Sequence, residues 1–244
     1  LSVILPTLSV MGIQVCPVPT AVLSSHTGGF GEEVLRDLTD YIKPALNHYL
    51  SLNEKFDCIY SGFLASIGQI DHCLEFFGSF PDALKVVDPV MGDHGKPYKT
   101  CTRELCSRMS ELVAVADIIT PNVTEAGILL GQTSDLNFLT SQQAKSMLVK
   151  LAEKGPKTVV ITGADMADGK KCNIGYDKVH STFWRVPFHY VPVNYPGTGD
   201  IFASVLVGSI IKGDSLPIAM NRATEFLEIA IKTTFSYSSE PRCG

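Results

Sequence analysis

Residues 195–200 read YPGTGD and lead straight into the apolar run IFASVLVGSII. Gly197 and Gly199 allow the backbone to turn tightly and approach a ligand with no Cβ in the way. If a helix begins here, the amides of Gly197, Thr198, Gly199 and Asp200 have no intrahelical acceptors. Together with the helix dipole they favour anionic oxygens. Asp200 adds a carboxylate at the edge of that cradle, where it can take a proton from a hydroxyl group. Phosphoryl transfer asks for little more than positioning, charge stabilisation and a proton acceptor. Beside this reading stands a plainer one, in which Asp200 only caps the helix or favours its dipole.

These residues need a scaffold, and the chain alternates strand-like apolar runs with amphipathic stretches of helical length. The pattern predicts helices over 1–11, 35–52, 67–77, 102–115, 124–130, 141–153, 198–212 and 216–233. It predicts strands over 14–20, 57–61, 84–87, 117–120 and 158–162, and a hairpin within 175–186. Short, continuously apolar strands between helices imply an α/β fold: a central, mostly parallel sheet with helices on both faces. In such sheets ligands bind beyond the carboxyl ends of the strands. Polar residues gather at those ends: His26, Thr27, Ser61, Asp88, Asn122 and Thr162. With no repeat or linker, residues 1–244 read as one domain.

Composition removes several classes. The net charge is −5 and no Lys/Arg block occurs, so the footprint of a nucleic-acid binder is missing. No apolar run reaches the roughly 18–20 residues of a membrane span, and the apolar start lacks the basic region of a signal peptide. The expectation is therefore a cytoplasmic protein with no membrane or nucleic-acid partner. Seven cysteines (Cys16, Cys58, Cys73, Cys101, Cys106, Cys172 and Cys243) include no C-x-x-C pair, and they read as reduced packing residues. No G-x-x-x-x-G-K-[ST], G-x-G-x-x-G after a strand, or G-x-S-x-G occurs.

An ordered set of motifs spans nearly the whole chain: MGIQVCPVPTAVLSSHTGGF (11–30), YSGFL (60–64), VVDPVMGDHGKPY (86–98), ADIITPNVTEA (116–126), VVITG (159–163) and PGTGD (196–200). In these the sequence resembles the pyridoxal/pyridoxine/pyridoxamine kinases of the ribokinase superfamily, particularly the bacterial pyridoxamine-kinase type. The resemblance implies a ribokinase-like fold and ATP-dependent phosphorylation of the 5′-hydroxymethyl group of a vitamin B6 vitamer. It implies Asp200 as the catalytic base and Gly197, Thr198 and Gly199 as the anion hole. Asp88 and Asp93 match acidic residues near the ATP phosphates and their cations. Asn122 and Glu125 match the pair that organises Mg²⁺, with Asp88 and Glu125 as the metal residues and Glu125 acting through water. Thr120, Thr162 and Gly163 match strand-end positions near the nucleotide, and Tyr98 an aromatic close to it. Leu23, His26, Thr27 and Phe63 match the vitamer pocket, Phe63 where the family often has a stacking Tyr. ATP and Mg²⁺ are the implied cofactors, a monovalent cation is left open, and a homodimer is the implied assembly.

Each of these residues also has an ordinary role open to it. Asp88 before Pro89 suits a strand-to-turn junction. Asn122 can cap the next helix and Glu125 can favour its dipole. His26 can be a hydrogen-bonded loop residue and Phe63 a core residue. Family members begin with one further strand and a Ser-containing loop, so the expected sheet lacks that N-terminal strand. Hydroxymethylpyrimidine (phosphate) kinase shares the fold and is the alternative activity. A catalytically silent vitamer-binding paralogue is the alternative of another class. A general carbohydrate kinase lacks support without a lid domain.

Overall fold

A computed structural model describes residues 1–26, 33–132, 136–193 and 195–237. In chain order it gives α1 (Ile4–Val10), β1 (Ala21–Leu23), β2 (Leu35–Asp37), α2 (Thr39–Ser51), β3 (Cys58–Ser61) and α3 (Gly68–Ser79). Then come β4 (Leu84–Val87), β5 (Gly92–Asp93), β6 (Lys96–Pro97), α4 (Arg103–Val115), β7 (Ile118–Ile119) and α5 (Val123–Leu130). The chain continues through α6 (Ser141–Glu153), β8 (Thr158–Asp165), β9 (Lys171–Asp177), β10 (Thr182–Phe188), α7 (Thr198–Ile211) and α8 (Leu216–Ser236).

Six strands form one sheet in the order β10-β9-β8-β7-β4-β3. The pairs from β3 through β4 and β7 to β8 are parallel, and β9 and β10 extend the sheet antiparallel. Successive strand residues point to opposite faces, and the core divides accordingly. Val87, Ile119, Val159 and Ile161 pack with α3, α4, α5 and α6 on one face. Val86, Ile118 and Val160 meet α7 and α8 on the other. Residues 202–209 of α7 are buried on all sides, as expected of a helix with no polar stripe. No helix among the described residues is long and apolar enough to cross a membrane.

Three local expectations are corrected. The strand predicted over 14–20 has no ladder partner; Pro17 and Pro19 remove two donors, and pairing starts only at Ala21, opposite Asp37. The helix predicted from Leu35 starts at Thr39. Asp37 Oδ1 accepts the Thr39 N–H at 2.7 Å, which sets the helix start there and leaves 35–37 to pair with β1. Among the cysteines, Cys101 and Cys106 are joined in a disulfide across the N-cap of α4, whereas packing thiols were expected throughout.

Candidate active site

The site gathers at the carboxyl ends of the parallel strands. At the end of β4, Asp88 is buried, 6% exposed. Its N–H donates to Ser61 O at 2.8 Å, and the Tyr60 hydroxyl donates to its Oδ2 at 3.3 Å. Burial, and then the charges of Glu125 and Asp200, push its carboxyl well above the usual aspartate range; the Tyr60 hydrogen bond only partly offsets this. Beside it, the buried hydroxyl of Thr120 has no protein hydrogen-bond partner, while the Ser61 hydroxyl meets Cys73 of α3. Buried polar atoms left without a partner are costly, so this floor is shaped for something polar.

Beyond β7, Asn122 caps α5. Its Oδ1 accepts the Glu125 N–H at 2.9 Å, while Glu125 Oε2 accepts the Asn122 N–H at 2.8 Å, a reciprocal capping box. The same two side chains hold the β5–β6 hairpin. Asn122 Nδ2 donates to Gly92 O at 2.8 Å, Met91 N–H donates to Glu125 Oε1 at 3.1 Å, and Gly95 N–H donates to Thr124 Oγ1 at 2.8 Å. Gly92 is required there, since a Cβ would stand 2.4 Å from Lys96 O. The cap expected of Asn122 is thus present, and it is made with the same Glu125 that the resemblance pairs with it. Glu125 is 4% exposed, and burial drives its carboxyl up to about 7 despite the backbone N–H groups of Asn122, Met91 and Gly92 that favour the charged form.

Asp200 lies in the first turn of α7, after Gly197, whose φ of +84° is the left-handed region that favours glycine. The Asp200 carboxylate folds back toward this turn, its Oδ2 4.0 Å from where a Cβ on Gly197 would lie. Ile201 N–H closes on Gly197 O at 2.9 Å, which leaves the first-turn amides without intrahelical acceptors. Burial raises the Asp200 carboxyl above its usual value.

Thr162, within β8, pairs with Asn122 just beyond β7 as an isolated parallel bridge. Gly163 N–H donates to Asn173 Oδ1 at 3.1 Å, and Asn173 Nδ2 donates to Thr224 Oγ1 at 2.9 Å, a chain that ties the irregularity of β8 through β9 to α8. Tyr98 is held by its N–H to Met91 O at 2.8 Å. Its phenol is pushed up by burial and by the neighbouring Asp93, Glu125, Asp88 and Asp200.

Every site residue named from the sequence and described by the structure lines one cleft, including Leu23, His26, Phe63 and Asp93. Thr27 lies outside the described residues. The cleft measures about 2260 Å³, above the roughly 300–1,000 Å³ of a pocket for one small ligand, so two substrates fit. Lys171 is the one lysine or arginine among its described lining residues, and Asp165 pairs with it. The cleft is therefore acidic, and a polyanion entering it requires a cation. No group of three or more His, Cys, Asp or Glu able to hold a metal occurs among the described residues. A divalent cation would lean on Asp88 and Glu125 and draw its other ligands from phosphate oxygens and water. Sequence reasoning missed Tyr60 and Asn173. Tyr60 falls in a strand pattern that reads as core, and Asn173 in a hairpin with no motif.

The profile of the phosphomethylpyrimidine kinase family matches residues 5–241. The chain belongs to this family. A provisionally named phosphomethylpyrimidine kinase from Bacteroides thetaiotaomicron, solved in an orthorhombic form with pyridoxal, superposes with a TM-score of 0.94 at 41% identity, covering 99% of this chain and 85% of that one. Pyridoxal kinase from Lactobacillus plantarum superposes with a TM-score of 0.89 at 28% identity, covering 98% and 85%. The chloroplastic thiamine biosynthetic bifunctional enzyme of Arabidopsis thaliana is 30% identical over 226 residues, 90% of this chain and 41% of that one. This phosphomethylpyrimidine kinase family chain thus spans about two fifths of the length of the two plant thiamine biosynthetic enzymes it matches.

Proposed function

We propose that the protein transfers the γ-phosphoryl group of ATP to the 5′-hydroxymethyl group of a vitamin B6 vitamer. The observation that carries this is the left-handed Gly197 turn, which sets free first-turn amides and the raised Asp200 carboxyl side by side in the cleft. Asp200 takes the hydroxyl proton as that oxygen attacks the terminal phosphorus. The bond from phosphorus to the bridging oxygen breaks, and the electron pair leaves with ADP. The amides of Thr198, Gly199 and Asp200 stabilise the charge on the group in transit.

Asp88 and Glu125 would hold Mg²⁺, whose chemistry there is to neutralise phosphate charge. The unpartnered Thr120 hydroxyl near Asp88 fits a hydrated cation. Leu23, His26 and Phe63 form the acceptor wall, while Tyr98, Asp93, Thr120, Asn122, Thr162 and Gly163 form the nucleotide wall. A cytoplasmic homodimer of one-domain chains is part of the same reading and rests on the resemblance alone.

The pyridoxal complex of the Bacteroides protein supports the vitamer as acceptor. The second reading, hydroxymethylpyrimidine (phosphate) as acceptor, is favoured by the family description and by the plant thiamine enzymes. A coupled ADP-release assay with pyridoxal, pyridoxine, pyridoxamine, hydroxymethylpyrimidine and its phosphate separates them. The expected result is Mg²⁺-dependent turnover with at least one B6 vitamer at the highest kcat/KM. Turnover with pyrimidines alone would transfer the assignment to the second reading, and none with any acceptor would end both.

A further inference from the structure

Gln69, in the first turn of α3, is fully buried at 0% exposure and is not among the residues that line the cleft. A buried amide is tolerated when its donors and acceptor are matched, and here they are matched by four residues of three chain segments. The two Nε2 hydrogens are shared among Thr20 O at 2.8 Å, Asp37 Oδ1 at 3.0 Å and Thr39 Oγ1 at 3.1 Å, and Oε1 accepts Ala65 N–H at 2.8 Å. Thr20 then donates its hydroxyl to Phe63 O at 2.8 Å, and its own carbonyl also accepts Leu38 N–H at 3.0 Å. Thr39 Oγ1 and Ser66 Oγ lie 2.9 Å apart.

The bonds converge on the base of the β1–β2 ribbon. This ribbon is a two-stranded sheet of its own, with no ladder to the main sheet, and two strands alone are marginally stable in water. It carries Leu23 and leads to His26, on one side of the cleft; Ala65 lies two residues after Phe63, on the other. None of the bonds reaches the β5–β6 hairpin, Asn122 or Thr162. We propose that Gln69 is a positioning residue for the acceptor: it fixes the ribbon that bears Leu23 and His26 at a set distance from Phe63, and so shapes the acceptor end of the cleft independently of the nucleotide end. The assignment rests on the phosphoryl-transfer reading for what occupies that end. The carboxylate of Asp37 agrees with this network: burial raises it, but the bonds from Thr39, Ser66 and Gln69 outweigh that and hold it below its usual value.

The test uses Gln69→Leu, which removes every bond, Gln69→Glu, which keeps the acceptor but loses the donors, and Thr20→Val, which removes only the link to Phe63 O. In steady-state kinetics, KM for the acceptor should rise about tenfold in Gln69→Leu and less in Thr20→Val, with KM for ATP within about twofold of wild type. Amide hydrogen exchange should quicken across Ala21–Leu23 and Leu35–Asp37 and stay unchanged across Gly92–Pro97. Equal rises in both KM values, or unchanged acceptor KM with unchanged ribbon exchange, would overturn the proposal. If Gln69→Leu does not fold, the other two variants carry the same comparison. Should wild type turn over no acceptor at all, the phosphoryl-transfer reading falls, and ribbon exchange alone then decides Gln69.

Discussion

Asp200 is placed where its ionised form is costly. Its folded carboxyl is raised above the unfolded value of 3.8 by burial. A group raised in this way contributes stability that is fully present below its unfolded pKa and lost as pH rises through the folded one. At neutral pH the charged Asp200 therefore works against folding, in the form that the proposed base role requires. Asp200→Asn should lower kcat by roughly 10²–10⁴-fold and, in the same protein, raise the melting temperature near pH 7 but not near pH 3. Calorimetry beside the coupled assay checks both, and an Asn variant with wild-type turnover would remove Asp200 from the base position. The residues of the PGTGD turn were legible because glycine and a helix-start carboxylate act through local backbone geometry. Tyr60 was not, since nothing in the run CIYS marks which of its side chains will meet Asp88 across the sheet.

At the level of elements, the N-terminus of α5 is the joint on which the nucleotide wall turns. One capping box there sets the helix start and also anchors the β5–β6 hairpin. Asn122→Ala removes the cap and leaves Gly92 O without its donor. The expected cost is about 1–2 kcal/mol of stability, measured by urea unfolding, with a rise in KM for ATP that exceeds any rise for the acceptor. Most elements could be read from the sequence where a single force governs them. The run TVVIT is a buried strand, and residues 141–153 form a helix with the bounds predicted, capped by Thr140. Elements set by side-chain-to-backbone bonds were misread. The apolar spacing from Leu35 suggested a helix, but Asp37 claims the Thr39 amide first. The small β5–β6 hairpin has too few residues to show a period of two.

Across the whole molecule the dominant electrostatic fact is a cleft with several carboxylates and one paired lysine. Glu125 makes the consequence measurable. Its usual value is 4.5 and its folded value about 7, so its contribution to stability is full below about pH 4.5 and is lost as pH climbs through 7; Asp88 is shifted in the same direction. The ligand-free protein should therefore show a falling melting temperature from about pH 5 to about pH 8. Saturating Mg²⁺ and ADP should flatten that slope, because a cation favours the charged carboxylates. A slope that ignores Mg²⁺ and ADP would show that these two carboxylates do not face the phosphates.

The sheet keeps its two faces in separate apolar clusters, with Glu125 carried by a helix of one and Asp200 by a helix of the other. In the proposed reaction, a phosphate chain lying between those carboxylates would act as a rivet through both layers. With it in place, neither stack of helices can peel from the strands without first releasing the nucleotide.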